Sequence, residues 1–283
     1  MVTPFAGDGS LDTDGAARLA THLVDNGGCD GLVISGTTGE SATTTDAEKE
    51  RLLRAVLEAV GDRASVVTGV GTNDTVHSLE LARTAERAGA HGLLAVTPYY
   101  NKPPQSGLFA HFTAIADATD LPVMLYDIPG RSAVPIATDT LVRLSEHPRI
   151  TAVKDAKGDL VAAAWLQSRS DLAVYSGEDA LTLPLLSVGA VGVVGVPTHV
   201  VGVRTGEMIR AFHSGDVARA RQLHLELLPV FTGFFRTQGV ILTKAALNLM
   251  GLPAGSVRLP LVDATPEEIE QLRADAKAVG IDL

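Results

Sequence analysis

The chain has few of the features that would narrow its chemistry at a glance. It has a single cysteine, Cys29, in 283 residues. One thiol cannot form an intrachain disulfide, so packing rather than cross-linking must hold the fold. Cys29 lies in Gly27-Gly28-Cys29-Asp30-Gly31 beside an apolar stretch, where a buried structural thiol is expected. Aromatic residues make up only 4% of the chain, so small and branched aliphatic side chains must fill the core. Long hydrophobic runs are missing too. The most apolar stretch, 188–203, is broken by Gly189, Gly192, Gly195 and Pro197 and contains His199. It reads as a buried strand with its flanks, not a membrane span. Met1 leads directly into Val2-Thr3-Pro4-Phe5 and a Gly-Asp-Gly turn, without a secretory-leader pattern. A cytoplasmic address is the expectation.

Positive charge is scarce: 23 Lys and Arg stand against 33 Asp and Glu, for a net charge of −10. Such a surface repels phosphate backbones, so nucleic acid is not an expected partner, and neither is a membrane. An anionic substrate would need local cations or amide donors. The eight histidines are scattered, with no His-Glu-x-x-His and no close pair at ligand spacing, so no metal is expected. No Gly-x-Gly-x-x-Gly follows the first strand, which argues against a dinucleotide cofactor. Close strand packing accounts for Gly189-x-x-Gly192-x-x-Gly195. No Ser-His-Asp arrangement can be argued.

What the chain does have is regular alternation. Strand-like runs fall at 31–35, 64–70, 92–97, 121–126, 150–155, 172–176 and 191–196. Helical stretches between them cover 45–60, 73–88, 105–118, 137–145, 159–167 and 179–188. Asn73 is the expected N-cap and Gly89 the expected stop of the second of these. Successive βα units mean a parallel sheet. Seven clear strands plus a short one at 1–5 predict a closed (β/α)8 barrel rather than an open doubly wound sheet. From Thr198 onward the pattern is helical only and exceeds one barrel helix. The expected division is a barrel over 1–213 and an added C-terminal helical subdomain over 214–283. Residues 1–5 are short for a barrel strand, so the native chain is expected to start before Met1; N-terminal sequencing tests that.

In a barrel the site lies at the C-terminal ends of the strands. Ile150 to Lys154 ends on a lone amine. Buried on both faces, that amine would lose its charge more easily and could attack a carbonyl. Taken alone, snorkelling to the surface is the better explanation of it. Tyr126 ends the preceding strand at the same parity, and neighbouring strands lie about 4.8 Å apart. If both point inward, a phenol meets an amine at the barrel mouth; otherwise Tyr126 is a lining aromatic. Gly36-Thr37-Thr38-Gly39 offers hydroxyls and amides for a carboxylate or phosphate, or merely starts a helix. Arg131, after Pro129-Gly130, suits bidentate carboxylate binding or a plain surface position. Lys157 and Lys102 are read as solvated loop residues.

Together the strand ends carry a resemblance. Gly36-Thr37-Thr38-Gly39-Glu40-Ser41, Thr97-Pro98-Tyr99-Tyr100-Asn101, Tyr126-Asp127-Ile128-Pro129-Gly130-Arg131, Val153-Lys154 and Ser176-Gly177-Glu178-Asp179 closely resemble the dihydrodipicolinate synthase family, in register over essentially the whole chain. The resemblance implies a metal-independent class I aldolase that joins pyruvate to L-aspartate 4-semialdehyde on the way to diaminopimelate and lysine. It needs no cofactor beyond a covalent imine with its own substrate. It implies Lys154 as the imine-forming lysine, Tyr126 as proton donor and acceptor, and Thr37 and Tyr100 as relay partners, Tyr100 coming from a neighbouring subunit. Thr38 would hold the pyruvate carboxylate, with Gly177 and the Val194 carbonyl lining the pocket. Arg131 would meet the semialdehyde carboxylate, favouring this reaction over a related lyase for keto sugar acids or N-acetylneuraminate. A barrel kept only for binding is disfavoured by the presence of both Lys154 and Tyr126. The implied assembly is a homotetramer, a dimer of dimers. A lysine effector site is implied at Ser41, Asn73, His77 and Tyr99. The inhibited pattern often has a carboxylate at His77 and histidines at Asp46 and Lys49, so lysine inhibition is expected to be weak or absent.

Overall fold

The computed structural model describes every residue from Met1 to Leu283. The first half of the chain runs α1 (Thr13–Asp25), β1 (Gly31–Ile34), α2 (Asp46–Val60), β2 (Ser65–Gly69), α3 (Thr75–Ala88), β3 (Gly92–Val96), α4 (Gln105–Asp117) and β4 (Val123–Asp127). It continues with the short α5 (Pro129–Ser132), α6 (Thr138–Leu144), β5 (Ile150–Asp155), α7 (Leu160–Gln167), β6 (Ala173–Ser176), α8 (Thr182–Leu186) and β7 (Gly192–Val193). Four helices follow: α9 (Thr198–His213), α10 (Val217–Gly233), α11 (Gly239–Leu249) and α12 (Pro266–Ala278). None of the helices is long and apolar enough to cross a membrane.

Caps explain most helix starts. Thr45 and Glu48 form a reciprocal capping box on α2. On α3 the cap is Asp74 rather than the expected Asn73: the Asp74 carboxylate accepts from Val76 N, whereas the Asn73 carbonyl accepts from the Asn101 amide. Gly89 ends α3 in the left-handed region at φ 90°, as expected. Helix α1 escaped the sequence reading. Its buried stripe is Gly15, Ala16, Leu19, Ala20 and Leu23, and three small residues in it mute the apolar periodicity. The strand expected over 191–196 shrinks to Gly192–Val193, because Gly195 and Pro197 turn the chain away into α9. The strand expected at 1–5 does not form. Phe5 makes one isolated bridge with Leu11, and Pro4 has no N–H to offer a ladder.

The chain divides into two compact units, Val67–Val194 and Met1–Val66 with Gly195–Leu283. In the first, strands pair in parallel and in chain order from β2 to β7. The register places Val96 opposite Tyr126, Tyr126 opposite Lys154, and Lys154 opposite Tyr175. One row of the ladder therefore carries Lys154 between two tyrosines, one residue short of the ends of β4, β5 and β6. Leu93, Leu94, Ala95, Val123, Leu125 and Val153 are all buried, as strands covered on both faces should be.

The second unit is tied by charges that were not singled out from the sequence. Lys244 Nζ sits 2.7 Å from Glu40 Oε1, with the two side chains only 2% and 1% exposed. The other Glu40 oxygen accepts from Arg258 N at 2.9 Å, and Lys244 also donates to Ser256 O. Lys244 Nζ and the Arg258 guanidinium lie 4.3 and 4.0 Å from the Phe5 ring centroid, and Arg258 pairs with Glu48. Gly255, at φ 67°, passes so close to the Phe5 carbonyl that a Cβ there would lie 2.0 Å from its oxygen. Truncating Lys244 to Met would strand a buried carboxylate and should lower unfolding free energy by about 3–5 kcal/mol in urea titrations. Glu40→Gln with Lys244→Met should recover part of that loss.

Candidate active site

Lys154 is the next-to-last residue of β5, among neighbours that take water away from it. Only 9% of the residue is exposed, and Nζ stands 4.2 Å from the centroid of the Tyr126 ring. Burial pushes the amine down to about 8; Asp179 pulls it back up, Arg131 adds to the depression, and Glu178 again raises it. At that value about a tenth of the amines are neutral at pH 7, far more than for a solvated lysine. Tyr126 itself is 5% exposed. Gly177 is required by close approach: a Cβ there would fall 2.9 Å from Lys154 Cγ and 3.0 Å from its Cε. Any side chain at 177 would displace the amine's stem.

The same unit carries more of the expected site residues besides Gly177, with Arg131 among the groups acting on Lys154. Arg131 lies in α5 with an exposed side chain, near enough to Lys154 to disfavour its charge. Val194 is half-buried just past β7, and its N–H donates to Ser176 O at 2.8 Å. Tyr100 is 88% exposed and holds φ 73°, a strained left-handed conformation for an aromatic residue. Tyr99 beside it is 39% exposed. Asn73 is exposed and His77 half-buried on the approach to α3 and its first turn.

Thr37, Thr38 and Ser41 belong to the other unit. They are half-buried in a turn whose two bends, Ser35 and Glu40, take φ 51° and 53°. Glu40 N donates to Thr37 O and Ser41 N to Gly36 O. The Thr3 hydroxyl donates to Gly39 O at 2.6 Å, and Met1's ammonium to Val33 O. Thr45 alone caps α2, while the Thr43 and Thr44 hydroxyls donate to Glu40 O, so the threonine run is not one continuous cap. Lys49 donates to Thr44 O at 2.5 Å and lies 3.7 Å from Asp46. Cys29 is half-buried with its thiol pushed up by burial, which suits a packing role.

One sequence expectation is corrected here. Lys157 is not solvated: it pairs at 3.2 Å with Asp127, their side chains 14% and 1% exposed. The parity that turns Tyr126 and Lys154 one way turns Asp127 and Asp155 the other, and Lys157 follows them. Asp179 and Glu178, which the sequence pattern marks only as a strand end, are the acidic groups acting on Lys154. Two adjacent carboxylates immediately after a strand were the available signal.

A buried, easily neutralised amine beside a phenol, at the ends of parallel strands with helices between them, is the mark of a class I, metal-independent lyase on a (β/α)8 barrel with an added helical C-terminus. The chain belongs to the dihydrodipicolinate synthetase family, whose model matches residues 1–279. It is 71% identical over 280 residues to the 4-hydroxy-tetrahydrodipicolinate synthase of Acidothermus cellulolyticus, covering 99% of this chain and 91% of that one. It is 68% identical over 283 residues to 4-hydroxy-tetrahydrodipicolinate synthase 2 of Streptomyces coelicolor, covering 100% and 94%. The crystal structure of dihydrodipicolinate synthase from Cyanidioschyzon merolae with lysine bound superposes with TM-score 0.97 at 43% identity, covering 99% and 96% of the two chains.

The pH dependence of Lys154 follows from its surroundings. Reductive trapping with pyruvate should accelerate as pH rises through about 8 and then level off, because only the neutral amine attacks. Arg131→Ala should move the inflection up and Asp179→Asn should move it down, since the first charge depresses the amine and the second raises it. Modification rates followed by intact mass across pH check both signs.

Proposed function

We propose that the chain makes 4-hydroxy-tetrahydrodipicolinate from pyruvate and L-aspartate 4-semialdehyde, with Lys154 as the covalent catalyst. The observation that carries this assignment is the buried Lys154 amine 4.2 Å from the Tyr126 ring. The neutral amine adds to the pyruvate keto carbon, and water leaves to give an imine. The protonated imine draws electrons from the methyl group, which loses a proton to become the enamine. The enamine carbon bonds to the aldehyde carbon, whose oxygen takes a proton. The substrate's own amine then attacks the imine carbon, closing the ring and releasing Lys154. Tyr126 moves the protons, with Thr37 and the Tyr100 of a neighbouring subunit as relay. Thr38 holds the pyruvate carboxylate, with Gly177 and Val194 lining that pocket, and Arg131 takes the aldehyde substrate's carboxylate.

The same reading makes the protein a cytoplasmic homotetramer, a dimer of dimers. Tyr100 supports the pairing that completes the site, since a strained and largely exposed aromatic needs a partner to explain it. A second contact is supported by Val161 and Trp165, four residues apart on α7 and 69% and 61% exposed.

Borohydride reduction with pyruvate tests the central claim. A mass adduct on Lys154 is expected, and an adduct elsewhere or none would sink the assignment. A substrate panel then compares the semialdehyde with keto sugar acids and N-acetylneuraminate; turnover confined to the latter would move the reaction to the related lyases. Tyr100→Phe should lower turnover at an unchanged unfolding midpoint. Ser41, Asn73, His77 and Tyr99 are the proposed lysine-binding positions. With His77 in place of a carboxylate, lysine should inhibit weakly or not at all, and half-inhibition at low lysine concentration would contradict this.

A further inference from the structure

The connection over 128–135, which carries Arg131, is closed at both ends by one buried carboxylate. Asp127 Oδ1 accepts from Ile136 N at 3.1 Å, so the residues before and after the connection are bonded to each other. Asp127 Oδ2 meets Lys157 Nζ at 3.2 Å, and the same amine donates to Ile136 O at 3.5 Å. The Lys157 backbone is itself pinned, its N–H donating to Asp155 Oδ1 at 2.8 Å, while Ala156 N donates to Asp127 O at 2.9 Å. Ile136 is fully buried, so the closure is a fixed point rather than a surface contact.

Between those fixed ends the backbone has little freedom. The Ser132 hydroxyl is 3.0 Å from both Ile128 O and Val134 O, and Ala133 turns the chain at φ 66°. Gln105 adds a second clasp, donating to Pro135 O and accepting from Ala137 N. Burial pushes the Asp127 carboxyl up, and Lys157 is the largest charge opposing that. Without Lys157 the carboxylate must take a proton or admit water, and the bond to Ile136 changes with it. Strand parity sends this strain away from the amine. Asp127 and Asp155 face opposite to Tyr126 and Lys154 in the same two strands, so the connection bearing Arg131 is the part the pair controls.

We propose that the Asp127–Lys157 pair is a positioning device for Arg131: it sets affinity for the carboxylate of the aldehyde substrate and leaves affinity for pyruvate nearly unchanged. This rests on the reading of Arg131 as the ligand of that carboxylate.

Steady-state kinetics of full-length variants separate the two claims. Lys157→Met should raise KM for L-aspartate 4-semialdehyde about tenfold, as small misplacements of a binding group do, with KM for pyruvate changed less than about twofold. Lys157→Arg, which keeps a cation, should restore most of the loss. Arg131→Ala should raise the aldehyde KM in the native background and raise it much less in the Lys157→Met background, because the arginine is already misplaced. If Arg131→Ala leaves that KM unchanged, the reading of Arg131 falls and this proposal with it. If Arg131→Ala acts but Lys157→Met does not, or if Lys157→Met raises both KM values together, the proposal alone is overturned. Should Lys157→Met fail to fold, Asp127→Asn with Lys157→Met removes both charges and carries the same comparison.

Discussion

Everything around β5 turns on the cost of keeping water away from one amine. A lysine in solvent is charged at neutral pH and useless as a nucleophile. Lys154 escapes that state because β5 is covered on both faces and Gly177 lets the side-chain stem lie flat against the neighbouring strand end. Its acidic neighbours, Asp179 and Glu178, raise its pKa again by their charge. They moderate the depression to about 8 instead of abolishing it. A carboxylate in direct contact would hold the proton firmly and silence the amine.

The contrast with two other shielded lysines makes the point. Lys244 meets Glu40 at 2.7 Å and Lys157 meets Asp127 at 3.2 Å, each a direct ion pair. Those pairs are structural ties: each joins segments far apart in sequence and tolerates burial because both charges are matched. Three lysines with similar shielding thus have different chemistry, decided by whether a carboxylate touches the amine.

Much of this was legible beforehand. The βα rhythm names the fold class, and strand parity alone brings Tyr126 to Lys154, because side chains alternate with a period of two whatever surrounds them. Where local signals were short or small, the reading failed. Helix α1 hides its stripe in glycine and alanine, β7 is cut to two residues by glycine and proline, and Pro4 keeps residues 1–5 out of a ladder. Lys157 looked like a solvated loop residue because its partner lies 30 positions back, on a different strand.

Composition, periodicity and motif spacing by themselves determined that this chain is an acidic α/β protein with polar strand ends, and they singled out the lysine worth testing. Those properties depend on residues near one another in sequence. Tertiary structure alone decided that Lys154 is shielded and unpaired, that Lys244 and Lys157 are shielded and paired, and that Gly177 must have no side chain. Desolvation and ion pairing depend on which distant atoms arrive at a point in space, and one-dimensional pattern does not record that.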